Sequence, residues 1–231
     1  MRQLIKYQKL LCSQLNNYII IGAMDGVKYD RVFTYLSDRT DYQALFVEPV
    51  TYQYQRLLEN TKKLNGTIYC EQSVILDINE TVEIVSVNKD HLNKYPDFID
   101  GCSSIAVENS PLNIFIKKVD EVHRVYENFK SKTFVEIVDK YKFYNVDYLQ
   151  VDTEGCDHRI VDSIDFDRFK IKVLKFEKCY LPTNFVEYFS NKLEEKNYTT
   201  VVDGDDILSV HNDYYDQTVN SADDIAKNRS V

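Results

Sequence analysis

Short apolar runs separated by helix-patterned stretches constrain this 231-residue chain more than any other feature. Tyr18–Ile21 and Ala44–Val47 are β-branched or apolar along both faces, and Thr67–Cys70 follows as a third short run. Strands apolar on both faces belong in a sheet covered by helices on both sides. Between the runs, Val32, Phe33 and Leu36, and then Tyr52, Leu57, Leu58 and Leu64, recur at helical spacing, with Asn65 and Gly66 as the stop. A β-α-β-α-β succession of this kind predicts a parallel sheet.

The pattern extends in both directions. Leu4, Ile5, Leu10, Leu11 and Leu15 mark a leading amphipathic helix up to about Asn16. Val74–Val87 alternates as short antiparallel strands around a turn at Asn79 and Glu80. Thr133–Tyr141 reads as a helix, Asp147–Val151 as a fourth buried strand, DTEGCDHRIV as the opening of another helix, Val173–Phe176 as a fifth strand and Asn184–Lys196 as a final helix. Tyr198–Val202 and Ile207–Val210 flank Asp203-Gly204, a dipeptide that favours a tight hairpin turn. A doubly wound dehydrogenase domain ends on a parallel strand, whereas a terminal antiparallel hairpin marks the methyltransferase variant of the sheet. The expectation is one α/β domain over residues 1–231: a core at about 18–211, an insertion or lid at about 91–129, and a polar, frayed tail at 212–231.

The formal net charge of −9 and pI near 5.0 give a field that repels nucleic acid and anionic membrane surfaces. Five scattered cysteines without a CxxC pair fit reduced thiols of an intracellular protein. The N-terminus lacks a secretory h-region and no stretch is apolar enough to span a bilayer, so a soluble, cytoplasmic protein is expected. Nothing in the sequence indicates the oligomeric state.

The segment IGAMDGVKYD places a glycine turn between strand and helix, where backbone N–H groups and a helix start face the ligand crevice. It is not a dinucleotide fingerprint: from Gly22, the second and third glycine positions are Met24 and Val27. Asp25 facing the ligand would repel a pyrophosphate and attract an ammonium or sulfonium, as S-adenosylmethionine carries; it could equally cap the next helix. Glu48, ending the second strand, can accept from two ribose hydroxyls, or be a solvated strand end.

Taken together, IGAMDGVKYD, LFVEPVTYQYQRLLEN and YLQVDTEGCDHRIV, in that order, resemble the FkbM family of S-adenosylmethionine-dependent methyltransferases over most of residues 18–210. The resemblance implies a Rossmann-like class I methyltransferase fold, with a seven-stranded, mostly parallel sheet closed by an antiparallel C-terminal hairpin. It implies O-methylation of a sugar or glycan hydroxyl, or of another small hydroxylated metabolite. It places Gly22, Ala23, Asp25 and Gly26 around the methionine part of the cofactor, Glu48 on the ribose, and Gln72 and Ser73 near the adenine. Ile20 and Met24 depart from the family pattern, and they motivate a second reading: a non-catalytic cofactor-binding module serving in an assembly.

Methyl transfer to an alcohol requires a positioned base or a cation that acidifies the hydroxyl. DTEGCDH begins at the carboxyl end of the fourth strand, and Asp152 and Glu154 point to one side of an extended chain. Both are candidate catalytic residues, Asp152 also as a cofactor contact, with His158 as an alternative base. The competing reading has Glu154 and Asp157 stabilising the helix start and His158 on the surface. Glu177, after the fifth strand, and Ser104, beside Ser103 in DGCSSI, are candidate acceptor-binding residues. Asp152, Glu154 and Glu177 could hold a hard divalent cation, but no metal is assigned.

Overall fold

The computed structural model describes residues 2–28, 31–105 and 117–219. Five of its strands are the apolar runs: β1 (Asn17–Ile21), β2 (Gln43–Val47), β3 (Thr67–Glu71), β9 (Tyr148–Val151) and β10 (Val173–Glu177). With the terminal hairpin of β11 (Tyr198–Asp203) and β12 (Asp206–His211), they form one seven-stranded sheet ordered β11-β12-β10-β9-β1-β2-β3. β1 pairs in parallel with both β2 and β9, and β9 with β10. Only β12 runs against its neighbours. This is the class I methyltransferase arrangement that the sequence predicts.

Alternation along the strands feeds two cores. Ile19, Ile21, Leu45, Val47, Leu149 and Val151 face α4 (Phe134–Tyr141), α5 (Asp157–Asp162) and α6 (Phe185–Glu194), meeting Ile137, Val138, Ile160, Val161, Phe189 and Leu193. Tyr18, Ile20, Ala44, Phe46 and Tyr148 face α1 (Arg2–Ser13), α2 (Val32–Leu36) and α3 (Thr51–Thr61), meeting Leu11, Leu15, Val32, Leu36 and Leu57. Full burial of each such Leu, Ile or Phe side chain stabilises the fold by about 1.5–3 kcal/mol. α4 starts on a capping box, Thr133 with Glu136, and stops at Lys142 in the left-handed conformation.

Three expectations are corrected. The first concerns 74–87, which is not a hairpin. β4 (Ile75–Leu76) pairs in parallel with β8 (Lys132–Thr133), while β5 (Thr81–Val87) joins a separate antiparallel sheet ordered β6-β5-β7, with β6 at Ser104–Ile105 and β7 at Arg124–Lys130. The intervening chain cannot fold back because it is tied elsewhere. Arg159 donates to Asp77 and Glu80, both at 2.7 Å, and Ser131 Oγ donates to the Ile78 carbonyl at 2.8 Å. Part of the illegible 91–129 stretch is therefore regular strand; its residues 106–116 lie outside the described residues.

The second correction is that α3 ends at Thr61, short of Leu64 and the Asn65-Gly66 stop. The third is the tail: residues 212–219 form a helix, α7, rather than a frayed end. Tyr214 and Tyr215 pack on the second core, and the Tyr214 hydroxyl donates to the Leu11 carbonyl at 2.7 Å. Residues 220–231 lie outside the described residues.

Candidate active site

The sheet order reverses between β1 and β9, and at such a switch point the strand ends leave a crevice. A cavity of about 680 Å³ lies there, walled by the carboxyl ends of β1, β2, β9 and β10 and, from above, by residues 100–105 and Ile84 of the smaller sheet. Gly22 closes its floor. With φ at +79°, a Cβ on Gly22 would sit 1.7 Å from the Asp152 carbonyl oxygen, so only glycine lets the two strand ends meet.

The glycine turn is pinned to β2. Gly22 and Ala23 both donate to the Val47 carbonyl, at 2.9 and 3.0 Å, and the Met24 N–H donates to Glu48 Oε2 at 2.8 Å from a left-handed backbone, φ +49°. Gly22, Ala23 and Met24 line the cavity. Asp25 and Gly26 do not. Asp25 turns beneath the loop, where its Oδ1 accepts from Val27 and Lys28 N–H groups at 3.0 and 2.7 Å and its Oδ2 meets Arg56 at 2.5 Å. Gly26, φ +76°, packs over Leu57. Ile20 is also away from the cavity, in the core beneath the sheet.

Glu48 is 4% exposed and lines the cavity, with Oε1 accepting from Val50 N–H at 2.9 Å. Burial pushes its carboxyl up to about 7 against the pull of the two N–H donors, with Glu127 and Asp152 adding to the rise. Each carboxylate oxygen keeps a second lone pair for a ligand hydroxyl. Ser73 joins it on the wall beside apolar Val74, Ile75 and Leu76. Gln72 is directed elsewhere, donating to the Pro49 carbonyl at 3.1 Å and to Thr51 Oγ1 at 2.9 Å.

Beyond β9 the wall is acidic. Asp152, Glu154 and Glu177 all line the cavity. Burial raises Asp152 to about 6, with Lys175 opposing and Asp206 adding to the rise; burial first and repulsion from neighbouring carboxylates second raise Glu177 to about 8 and Glu154 to about 9. Glu154 (φ +56°) and Tyr180 (φ +64°) hold left-handed backbones, as Met24 does. Strain of this kind costs of order 1–3 kcal/mol per residue and gathers at functional sites. Asp157, fully buried beneath the turn, accepts from Thr153 N–H at 3.2 Å and Thr153 Oγ1 at 3.0 Å and thereby fixes the segment that presents Glu154. His158 is not on the wall. Its ring packs on Phe185, its Nδ1 is buried without a partner, and burial pushes its pKa down.

Ser104 reaches the cavity from the smaller sheet and Ser103 from the segment leading into it, as do Cys102 and Asp100, which the sequence did not single out. Asp100 is a hub. Its carboxylate takes Lys28 at 3.1 Å, Arg56 at 3.0 Å, Tyr52 OH at 3.1 Å and Gln53 Nε2 at 2.7 Å. Burial opposes its charge, but Arg56 and Lys28 hold the carboxyl below its usual range. No local pattern could have shown this, because the partners lie 44 to 72 residues away. Among the described residues, no three His, Cys, Asp or Glu side chains are arranged to hold a metal ion, and no helix is long and apolar enough to cross a membrane.

The methyltransferase FkbM domain matches residues 21–214. No curated protein sequence matches the chain. Similar solved structures include precorrin-6y C5,15-methyltransferase from Geobacter metallireducens GS-15, 13% identical over 90% of this chain and 86% of that one, TM-score 0.42. Ribosomal protein L11 methylase from Lactobacillus delbrueckii subsp. bulgaricus is 8% identical over 90% and 76%, TM-score 0.40. M. capricolum TrmK in complex with S-adenosyl-homocysteine is 13% identical over 88% and 66%, TM-score 0.37. With its match across most of the chain and the glycine turn, Glu48 and Asp152 side by side at the switch point of a seven-stranded sheet, the chain belongs to the FkbM methyltransferase family and is an S-adenosylmethionine-dependent methyltransferase.

Proposed function

We propose that the protein methylates a hydroxyl of a sugar, glycan or similar small acceptor, with Glu48 holding the cofactor ribose and Glu154 taking the acceptor's proton. One observation carries the reading: Glu48, Gly22, Asp152 and Glu154 fall in sequence along the strand ends of one cavity. Neighbouring strands are about 4.8 Å apart, which puts Glu48 some two strands from Asp152. That spacing leaves room for a nucleoside between them.

The residues fit the cofactor. Apolar Val74, Ile75 and Leu76 with Ser73 suit an adenine, Glu48 suits a pair of ribose hydroxyls, and the narrow Gly22–Ala23 backbone admits the methionine portion. The cofactor, when bound, supplies an electrophilic methyl on a sulfonium. What this chain adds is alignment and proton removal. A half-buried carboxyl raised to about 9 is a stronger base, once ionised, than an ordinary glutamate, and the strained turn fixes its direction. Asp152, raised to about 6, is ionised at neutral pH beside the cofactor. The acidic wall disfavours phosphate-rich acceptors, which supports a small molecule or glycan over nucleic acid.

Calorimetry with S-adenosylmethionine and S-adenosylhomocysteine tests the cofactor half of the reading, with Glu48→Ala expected to weaken binding at least tenfold. Absence of binding by the wild-type chain at high micromolar cofactor overturns it.

A further inference from the structure

The acidic end of the cavity holds more negative groups than the cofactor can answer. Among the described residues, six carboxyl side chains line the cavity, Glu48, Asp100, Asp152, Glu154, Glu177 and Asp205, against one ammonium, Lys28, which is already paired with Asp97 and Asp100. S-adenosylmethionine brings a sulfonium, an ammonium and a carboxylate, a net single positive charge. Glu177 lies one strand beyond Asp152, on the far side from Glu48. It therefore stands outside the stretch that Glu48 and the glycine turn assign to the cofactor.

Two polar atoms at this end have no partner: Glu177 Oε2 and Ser104 Oγ, the latter on a side chain only 3% exposed. Buried polar atoms without partners are uncommon, and each calls for a reason. Tyr180 lines the same cavity close to Glu154 and Glu177, held in a left-handed backbone with its Cβ 3.8 Å from where a side chain on Gly155 would begin. An aromatic side chain near a half-buried carboxyl is a surrounding that a protonated amine takes from proteins. A metal ion suits the place less well, since no three ligating side chains among the described residues are set for one.

Resting on the reading of this cavity as the methyl-transfer site, we propose that the acceptor carries a protonated amine, bound between Glu177 and the ring of Tyr180 with Ser104 as a further hydrogen-bond partner. The acceptor class is an amino alcohol, an amino sugar being one form. Glu177 faces Asp152 from β9, Asp157 from α5, Cys179 on its own segment and Asp206 from β12, and Asp206 is itself paired with Lys175. Burial, with Asp152, Asp157 and Asp206 adding to it against the pull of a hydrogen bond with Cys179, raises its carboxyl to about 8, so it is protonated over much of the neutral range in the empty cavity. A bound ammonium displaces that proton to solvent, so affinity rises with pH between 6 and 8.

The test uses a shape-matched pair, trans-4-aminocyclohexanol and 1,4-cyclohexanediol, titrated by calorimetry into protein saturated with S-adenosylhomocysteine. The amine keeps its charge throughout, as a lysine does. Expected are at least tenfold tighter binding of the amino alcohol, an affinity that increases from pH 6 to pH 8, and loss of the preference in Glu177→Gln and in Tyr180→Leu, with S-adenosylhomocysteine affinity within twofold of wild type in both. Equal affinities, or no binding by either compound, overturn the proposal, as does displacement of the amine by millimolar Mg²⁺. Failure of S-adenosylhomocysteine itself to bind overturns the reading of the cavity instead, so the two failures are distinguishable.

Discussion

At the scale of single residues, the site rests on groups that are costly in the empty protein. Glu154 is half-buried near Asp152, Asp157 and Glu177, its carboxyl raised by burial and then by their charge, and is held in a left-handed backbone, so the fold sacrifices stability to present it. Glu154→Gln removes the charge and keeps the shape. It should raise the melting temperature at pH 8 while lowering turnover by about 100-fold or more, the range for loss of a general base. Wild-type turnover would remove Glu154 from the mechanism. Gly22→Ala has the opposite character: a methyl 1.7 Å from a carbonyl forces β1 and β9 apart. A loss on the order of 2–4 kcal/mol is expected in chemical denaturation, from overpacking and positive φ together. That Glu48, Asp152 and Glu154 share one cavity was legible in the sequence because each stands at or just past the carboxyl end of a buried strand. Asp25 was not, since what turns it from the cavity is Arg56, 31 residues onward on α3.

Among the elements, the short turn at Asp97–Asp100 has the greatest influence on the site. Asp100 ties it to α3 through Tyr52, Gln53 and Arg56, and to the glycine turn through Lys28. The turn leads directly into the wall that carries Ser103 and Ser104. Asp100→Ala should cost about 1–3 kcal/mol, the range for unmaking buried charged hydrogen bonds. Hydrogen exchange should quicken at the amides of residues 98–105, with unchanged protection in β1 and β2; unchanged exchange at 98–105 would show that the wall stands without this anchor. The elements of the main sheet were legible because each is a short apolar run next to a helical one. β4, β5 and β7 were not, because their register depends on Arg159 and Ser131, side chains whose partners lie 51 to 82 residues away. α7 was misread for a related reason: its polar composition hides two tyrosines that pack on the core beneath the sheet, one of them bonded to Leu11 of α1, 203 residues away.

For the molecule as a whole, the raised carboxyls set the pH dependence of stability. Asp152 at about 6, Glu48 and Asp157 at about 7, Glu177 at about 8 and Glu154 at about 9 each stay protonated in the folded chain at pH values where the unfolded chain has lost the proton. The folded state thus binds more protons between about pH 4.5 and 9, and stability falls as pH rises through that window. Glu71, held to about 2 by Lys132, Lys140 and Tyr141 against its burial, and Asp100 act in the opposite sense, and their contribution is lost only as the solution becomes strongly acidic. Melting curves of the ligand-free protein should therefore show a maximum at about pH 4–4.5 and a decline of several degrees by pH 9. A profile that is flat or rises toward pH 9 would mean that these groups are not buried together as described.

The two sheets that wall the cavity share no hydrogen-bonded strand pair among the described residues. Gly22, Glu48 and Asp152 belong to one, Ser104 to the other. Changes in the smaller sheet leave the strand pairing of the larger one intact, so this wall of the cavity can vary in sequence without disturbing the register of the strands that form the other.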